Sequence, residues 1–469
     1  MQTTPEETAA APSHSLWSDL KDAIRGTHQD YASGSVGRAI LLLAVPMVLE
    51  MVMESVFAIV DVFVVSRLGP DAIATVGLTE SMLTIIYAVA VGLTIGATAV
   101  VARRIGERDH EGAACAGVQA IGIAILAALP IGVAGIFLAR PLLQLMGASP
   151  WVLEHGVNFT RIMLGNAPII LLLFLINAIF RGAGDAAIAM RVLWLANGIN
   201  IVLGPILVIG FGLGVAGAAM ATAIGRGIGV LYQLRCLFRP GGRVQVQRRH
   251  LKLEASTMWT MLRLSGSGMV QVLIGMTSWV LLVRIISGFG SAAVAGYTIA
   301  IRMVIFALLP SWGLANAAAT LMGQNLGAQQ PDRARTAVWT ACRWNMVVLG
   351  AVGAFFFAFA PQLVGVFSVD PAVHPVGISC LRIVSVGFLF YAMGMVVSQA
   401  FNGAGDTWTP TLINLLCFWI VELPVAWILS HKIGLGPPGA FWSIVVCHTL
   451  LAVTSALIFR QGKWMQRKV

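Results

Sequence analysis

The sequence predicts an all-α integral membrane protein, with twelve transmembrane helices in two pseudo-symmetric six-helix bundles joined as parallel repeats. Three observations predict it. The composition is 58% hydrophobic and 11% charged, with a mean hydropathy of +0.85, outside the range of soluble globular chains. Apolar runs recur along the chain, each with the ~20 residues that a hydrocarbon core requires. Finally, the chain repeats itself at a fixed offset of 221 positions: Phe180-x-Gly182-Ala183-Gly184-Asp185 returns as Phe401-x-Gly403-Ala404-Gly405-Asp406.

In order, residues 1–36 are polar and form a tail, of which Ser15–Gly26 has the character of a surface helix. No short apolar core precedes Ile40, so the tail is not a cleavable signal. The expected spans run near 38–66, 73–101, 113–138, 155–179, 187–211, 213–238, 257–286, 291–322, 336–360, 376–402, 408–431 and 438–460. Several exceed 20 residues, which implies tilt or extension beyond the bilayer. The bounds that follow are a first lobe over 37–238, a basic linker over 239–256, a second lobe over 257–461 and a tail over 462–469.

Lysine and arginine alternate between loops. One set holds Arg103, Arg104, Arg108, Arg181, Arg191, the six basic residues from Arg239 to Arg263, Arg333, Arg335 and the C-terminal Arg460, Lys463, Arg467 and Lys468; the other holds Arg67, Arg140 and Lys432. By the positive-inside rule both termini are cytoplasmic. The same alternation explains the net charge of +10 without nucleic acid. The six cysteines lie in or beside apolar segments and form no CxxC pair, so neither a disulfide frame nor a zinc site is indicated.

The repeat extends beyond the shared turn. Gly69 aligns with Gly290, Gly106 with Gly327 and Arg161 with Arg382. Six helices per half is an even number, so both halves enter from the same side. Symmetry breaks at the first helix of each half. Val45–Gly69 carries Glu50, Glu54 and Asp61, which align with Gln271, Gly275 and Leu282. At ~100° per residue the three acids fall on one helix face over about 16 Å. A charge at membrane depth is costly and normally faces a protein interior or a wet cavity. The acids thus serve a cation or proton, or else are neutral groups hydrogen-bonded to neighbouring helices.

Other polar residues join them. Asn197 and Asn200 lie on the fifth span ahead of Pro205, and Thr222 lies on the small-residue face of the sixth. Counting from the outer loops at 1.5 Å per residue places Asp61, Asn200 and Thr222 ~12–15 Å deep, an expected oxygen-ligand set. Ordinary interhelical hydrogen bonding is the alternative. Glu80 and Tyr87, seven apart on the second span, together with Gln271, Gln399 and Glu422, are candidate cavity residues. The Gly-Ala-Gly-Asp stretches read as tight turns, with Asp185 and Asp406 capping the next helix. Gly212-Leu-Gly214-Val-Ala-Gly217 fits G-x-G-x-x-G but follows a membrane helix rather than a strand, so it is no nucleotide loop. There is no Walker A sequence, and no nucleophile–base pair marks an enzyme.

Pro46, the Asp61-to-Gly69 spacing, Arg181–Asp185, Asn200–Pro205, Gly214–Thr222 and the Gly-Gln-Asn-Leu-Gly-Ala of 323–328 together resemble the MATE (multidrug and toxic compound extrusion) family of the MOP flippase superfamily, over roughly residues 35–460. The resemblance implies two bundles around a V-shaped cavity. It implies export of cationic or amphipathic drugs by proton- or sodium-coupled antiport from a bacterial inner membrane, with no cofactor and a monomeric chain among membrane lipids. A sodium ion would sit at Asp61, Asn200 and Thr222. The family's archaeal sites carry a further Asp where this chain has Gly204, and acids on the seventh and tenth helices that other members carry are missing here. Sodium wants several oxygen ligands, whereas a proton needs only a titratable carboxylate, so the expected coupling ion is the proton. The alternative activity is a lipid-linked precursor flippase of the same superfamily, which calls for a basic cavity where this one reads as acidic.

Overall fold

The computed structural model describes residues 16–26, 29–252 and 254–467. Glu6, Glu7, Ser15 and Lys468 lie outside them. Among the described residues every regular element is helical. A surface helix α1 (Leu16–Arg25) leads into α2 (Val36–Ser66), α3 (Pro70–Gly106), α4 (His110–Leu145), α5 (Val157–Gly165), α6 (Ala167–Ala183), α7 (Ala186–Pro205) and α8 (Gly214–Phe238). After the linker follow α9 (Ala255–Ser287), α10 (Ser291–Gly327), α11 (Pro331–Phe367), α12 (His374–Val386), α13 (Phe388–Gly403), α14 (Trp408–Asn414), α15 (Leu423–Trp427) and α16 (Pro437–Arg460).

Ten segments of 24 to 37 residues are long and apolar enough to cross a membrane, and α12 with α13, bent by 55°, makes an eleventh. The 31-residue α2, with its three acids, completes the twelve. Wide π turns interrupt four places where the sequence reads as plain helix: Val152–Gly156, Ile206–Gly210 directly after Pro205, Leu415–Glu422 ahead of Pro424, and Ile428–Lys432. Two of them adjoin a proline, whose ring and missing N–H disrupt the regular ladder.

The internal repeat is visible in the backbone itself. Both ends of α3 return in α10 at the repeat offset. Gly69 and Gly290 precede these helices with φ of 102° and 101°, while Arg108 and Gln329 follow them with φ of 62° and 60°. Arg161 Nε donates to the Ile136 carbonyl at 3.2 Å, and its counterpart Arg382 donates to the Phe357 carbonyl at the same 3.2 Å.

The lobes interlock by exchange of helix contacts: α2 packs on α10 and α9 on α3. Glycines permit the approach. A Cβ at Gly92 or Gly96 would run into the α9 backbone, and one at Gly313, the counterpart of Gly92, into α2 at Met47. At the arginine-rich face α3 and α10 cross directly: Gly106 abuts the Gln324 carbonyl and Gly327 the Arg103 carbonyl. The two glycines that align in the repeat therefore meet in space. This is why α10 runs to Gly327 rather than stopping at 322: its last turn is a lobe contact, not a lipid-spanning segment.

The same face carries a strap. Arg333 Nη1 and Nη2 donate to the Gly34 carbonyl at 2.8 Å and the Ser33 carbonyl at 2.7 Å. The Tyr31 hydroxyl donates to the Gly184 carbonyl at 3.2 Å, with the Arg243 guanidinium 4.8 Å from its ring centre. The two aspartates of the repeated turns serve this face as ion-pair partners: Asp185 lies 3.7 Å from Arg243 Nε, and Asp406 lies 3.2 Å from Arg467 Nη2. Asp406 also accepts from the Thr409 hydroxyl at 2.7 Å. The capping role expected of the two aspartates is not made: Asp185 stands at the N-cap of α7 without a side-chain cap bond, and Thr407, not Asp406, precedes α14, likewise without one.

Candidate functional site

Between the lobes lies a cavity of about 360 Å³, lined by residues of α2, α3, α6, α7, α9, α10 and α13. Tyr87 and Gln399 face it as expected, beside Glu50 and Glu54. Arg181 also lines it. Expected in a loop, Arg181 instead falls in the last turn of α6. Glu80, Gln271 and Glu422 are absent from this cavity's lining. Gln271 places its amide oxygen in a buried position without a partner, Glu80 is exposed on α3, and Glu422 lines a separate cavity in the second lobe.

The acids of α2 follow one side of the helix, and each meets a different environment. Glu50 is buried. Its Oε1 accepts from Arg181 Nη1 at 3.0 Å and Asn177 Nδ2 at 3.2 Å, and Asn177 is held in turn by Gln233 Nε2 at 2.7 Å. Glu54 accepts from Asn197 Nδ2 at 2.9 Å, and its other oxygen lies 3.8 Å from Arg226 Nη2. Arg226, buried in α8, also donates to the Tyr87 hydroxyl at 3.2 Å. Asp61 accepts no hydrogen bond among the described residues; the charges it feels are those of Glu80 and Arg226. The sequence reading missed both arginines as site residues. Their signal was a charged side chain inside a long apolar run, the same signal that singled out the acids.

The expected oxygen trio comes together only in part. Asn200 Nδ2 donates to the Thr222 hydroxyl at 2.8 Å, and that hydroxyl donates to the Ala218 carbonyl at 3.1 Å. The small-residue face of α8 makes this possible, since Gly225 presses on the Ala196 carbonyl. The Glu54–Asn197 contact sets the register between α2 and α7. From it, seven residues lead to Asp61 and three to Asn200, so Asp61 stands roughly 6 Å further from the arginine-rich face. Gly204 does lie against this group: a Cβ there would be 3.8 Å from Asn200 Oδ1.

A line of polar groups thus leads from the central cavity into the first lobe. Two carboxylates are matched with two arginines, and a third, Asp61, is left with no direct partner. Such a line can bind a cation or shuttle a proton, because the third acid can change charge without stranding a hydrogen-bond donor.

The MatE family model matches residues 46–206 and again 267–428, two copies separated by the repeat offset. The probable multidrug resistance protein YoeA of Bacillus subtilis is 26% identical over 428 residues, covering 88% of this chain and 92% of that protein. A multidrug resistance MATE family transporter of the MOP superfamily, solved in an outward-facing conformation, superposes with a TM-score of 0.88 at 28% identity, covering 93% of this chain and 98% of that one. A MOP superfamily transporter from Pyrococcus furiosus, described as having a binding pocket of reversed polarity, superposes with a TM-score of 0.89 at 28% identity, covering 94% and 99%.

Proposed function

This chain belongs to the MatE family, and on that premise we propose that it is a multi-pass drug exporter of the plasma membrane that moves organic cations and amphipathic drugs outward in exchange for protons. It is a transporter, not an enzyme. Its arginine-rich face is the cytoplasmic one, with both termini there. The central cavity supports the cargo class: two carboxylates, one arginine already tied to Glu50, and the apolar walls of Phe174, Met276 and Trp312. Both carboxylates are offset, Glu50 by Arg181 and Glu54 by Arg226, and no unpaired lysine or arginine is left on the lining to hold a pyrophosphate, which disfavours the lipid cargo of the alternative flippase reading.

The observation that carries the coupling is Asp61. It is the acid on α2 without a hydrogen-bond or ion-pair partner among the described residues, yet it shares the field of Arg226 with Glu54. In this reading a proton on Asp61 leaves Arg226 with Glu54 and Tyr87. Loss of the proton gives Arg226 a second anion to move toward, which pulls on α8 and α2 together. Sodium is disfavoured because Gly204 supplies no carboxylate to the Asn200–Thr222 pair, and Asp61 is hydrogen-bonded to neither of them among the described residues. Proteoliposomes loaded with a cationic dye test this. Export is expected with an acid-outside pH gradient in sodium-free buffer. Robust export on a sodium gradient alone, insensitive to a protonophore, would reverse the assignment of the ion.

A further inference from the structure

The second lobe contains a cavity of about 330 Å³ bounded by α9, α10, α12, α13, the Leu415–Glu422 turn and α16. Glu422 is its one acid, and no lysine or arginine lines it. The carboxylate is 5% exposed. Its only hydrogen bond among the described residues comes from the Ser278 hydroxyl, 3.1 Å from Oε2. That hydroxyl also lies 3.0 Å from the Phe418 carbonyl. One hydroxyl has one proton, so Ser278 cannot donate to both acceptors at once. Buried charges are ordinarily paired, and here the protein supplies no pairing cation.

The walls are aromatic. Tyr391 stacks on the His448 ring at 4.3 Å, and Phe418 meets that ring edge-on at 5.6 Å. Tyr297 accepts from Trp279 Nε1 at 2.9 Å, which fixes both rings, and Trp279 is 49% exposed at the rim. His448 Nδ1 lies 2.8 Å from the Ile444 carbonyl, which orients the imidazole as part of the wall. Leu282 holds the place that Asp61 holds in the first lobe, so this cavity is the pseudo-symmetric partner of the acid site but differs from it in chemistry. A hard metal cation requires several oxygen ligands. One carboxylate amid π faces is the surround of a bulky, weakly hydrated cation.

We propose that the second-lobe cavity binds a small organic ammonium ion, with Glu422 as counter-charge and Trp279, Tyr297 and Tyr391 as the cation–π wall. It is a site separate from the central cavity, on the opposite lobe from the α2 acids. The proposal rests on reading the chain as an exporter of organic cations, and it gives that exporter a second place to hold cargo.

The test is calorimetric titration of the purified full-length chain with benzyltrimethylammonium at neutral pH, in detergent and without any gradient. The wild-type chain is expected to bind. Glu422→Gln, nearly isosteric, should lose this site by about tenfold or more in affinity, and Tyr391→Leu by roughly fivefold, while Glu54→Gln in the central cavity leaves it intact. Unchanged thermal melting in Glu422→Gln separates loss of binding from loss of fold. Absence of binding in the wild-type chain would overturn the proposal. Wild-type affinity and stoichiometry in both Glu422→Gln and Tyr391→Leu would overturn it equally. A chain that binds at Glu422 but exports no dye would sink the transport reading and keep this one; export without the titration would sink this one alone.

Discussion

At the residue scale, the buried arginines decide how the α2 acids behave. Arg181 and Glu50 are 11% and 2% exposed and 3.0 Å apart. Removing one partner of such a pair strands the other charge, at a typical cost of about 3–5 kcal/mol, whereas removing both is far milder. Arg181→Gln is therefore expected to lower the melting temperature of the purified chain sharply, and Glu50→Gln in the same background to restore most of it. If the single variant melts like the parent, the pair contributes little to stability. Asp61 is the opposite case. No donor loses a partner in Asp61→Asn, so that variant should fold, insert and bind drug but fail to export against a pH gradient. Drug resistance equal to the parent in cells making the two proteins at equal levels would remove Asp61 from the mechanism.

At the element scale, what was legible in the sequence was what periodicity and self-alignment encode. The apolar runs located the spans, and the repeat offset paired Gly106 with Gly327 before any contact was known. The π turns were not legible, because a run such as Leu415–Glu422 has the same composition whether its turns are regular or wide. Nor were the partners of Glu50 and Glu54, which come from helices more than 120 residues away in the chain. The α3–α10 crossing yields a prediction at this scale. A Cβ at Gly327 or Gly106 has no room against the facing backbone, so Gly327→Val should hold the two helix ends apart. A cysteine at Asn402, on the cavity wall near the seal, should then react faster with an impermeant thiol reagent applied to the arginine-rich face. An unchanged rate would mean that the seal lies elsewhere.

At the scale of the whole molecule, the two lobes can rock only if what ties them at the arginine-rich face can release. The strap from Gln29 to Ser35 is such a tie: it reaches Arg333 of the second lobe and, through Tyr31, the Gly184 turn of the first lobe and Arg243 of the linker. The C-terminal segment makes a second tie, since Arg467 pairs with Asp406 while its carbonyl accepts from Arg103 Nη2 at 3.2 Å. Both ties are made at the face where α3 and α10 meet, so both favour the arrangement with that face shut. Burial pushes the Tyr31 phenol up from 10.0 to about 12, against the pull of the Arg243 charge. A raised value means that the folded strap holds the neutral phenol; its contribution is fully present below pH 10 and is lost as pH rises toward 12. Physiological pH therefore leaves Tyr31 neutral, and it holds the strap through its hydrogen bond to Gly184 rather than through a charge of its own. Arg333→Ala deletes the donors to Ser33 and Gly34 without touching either cavity. In this variant the shut arrangement should lose stability relative to the open one. Spin labels placed on the ends of α4 and α11 at the arginine-rich face should report a population at longer distance than in the parent. Dye export should change in rate but not in its dependence on the pH gradient, because Asp61 and its neighbours are intact. Distance distributions identical in the two proteins would show that the strap lies along the closed face without holding it.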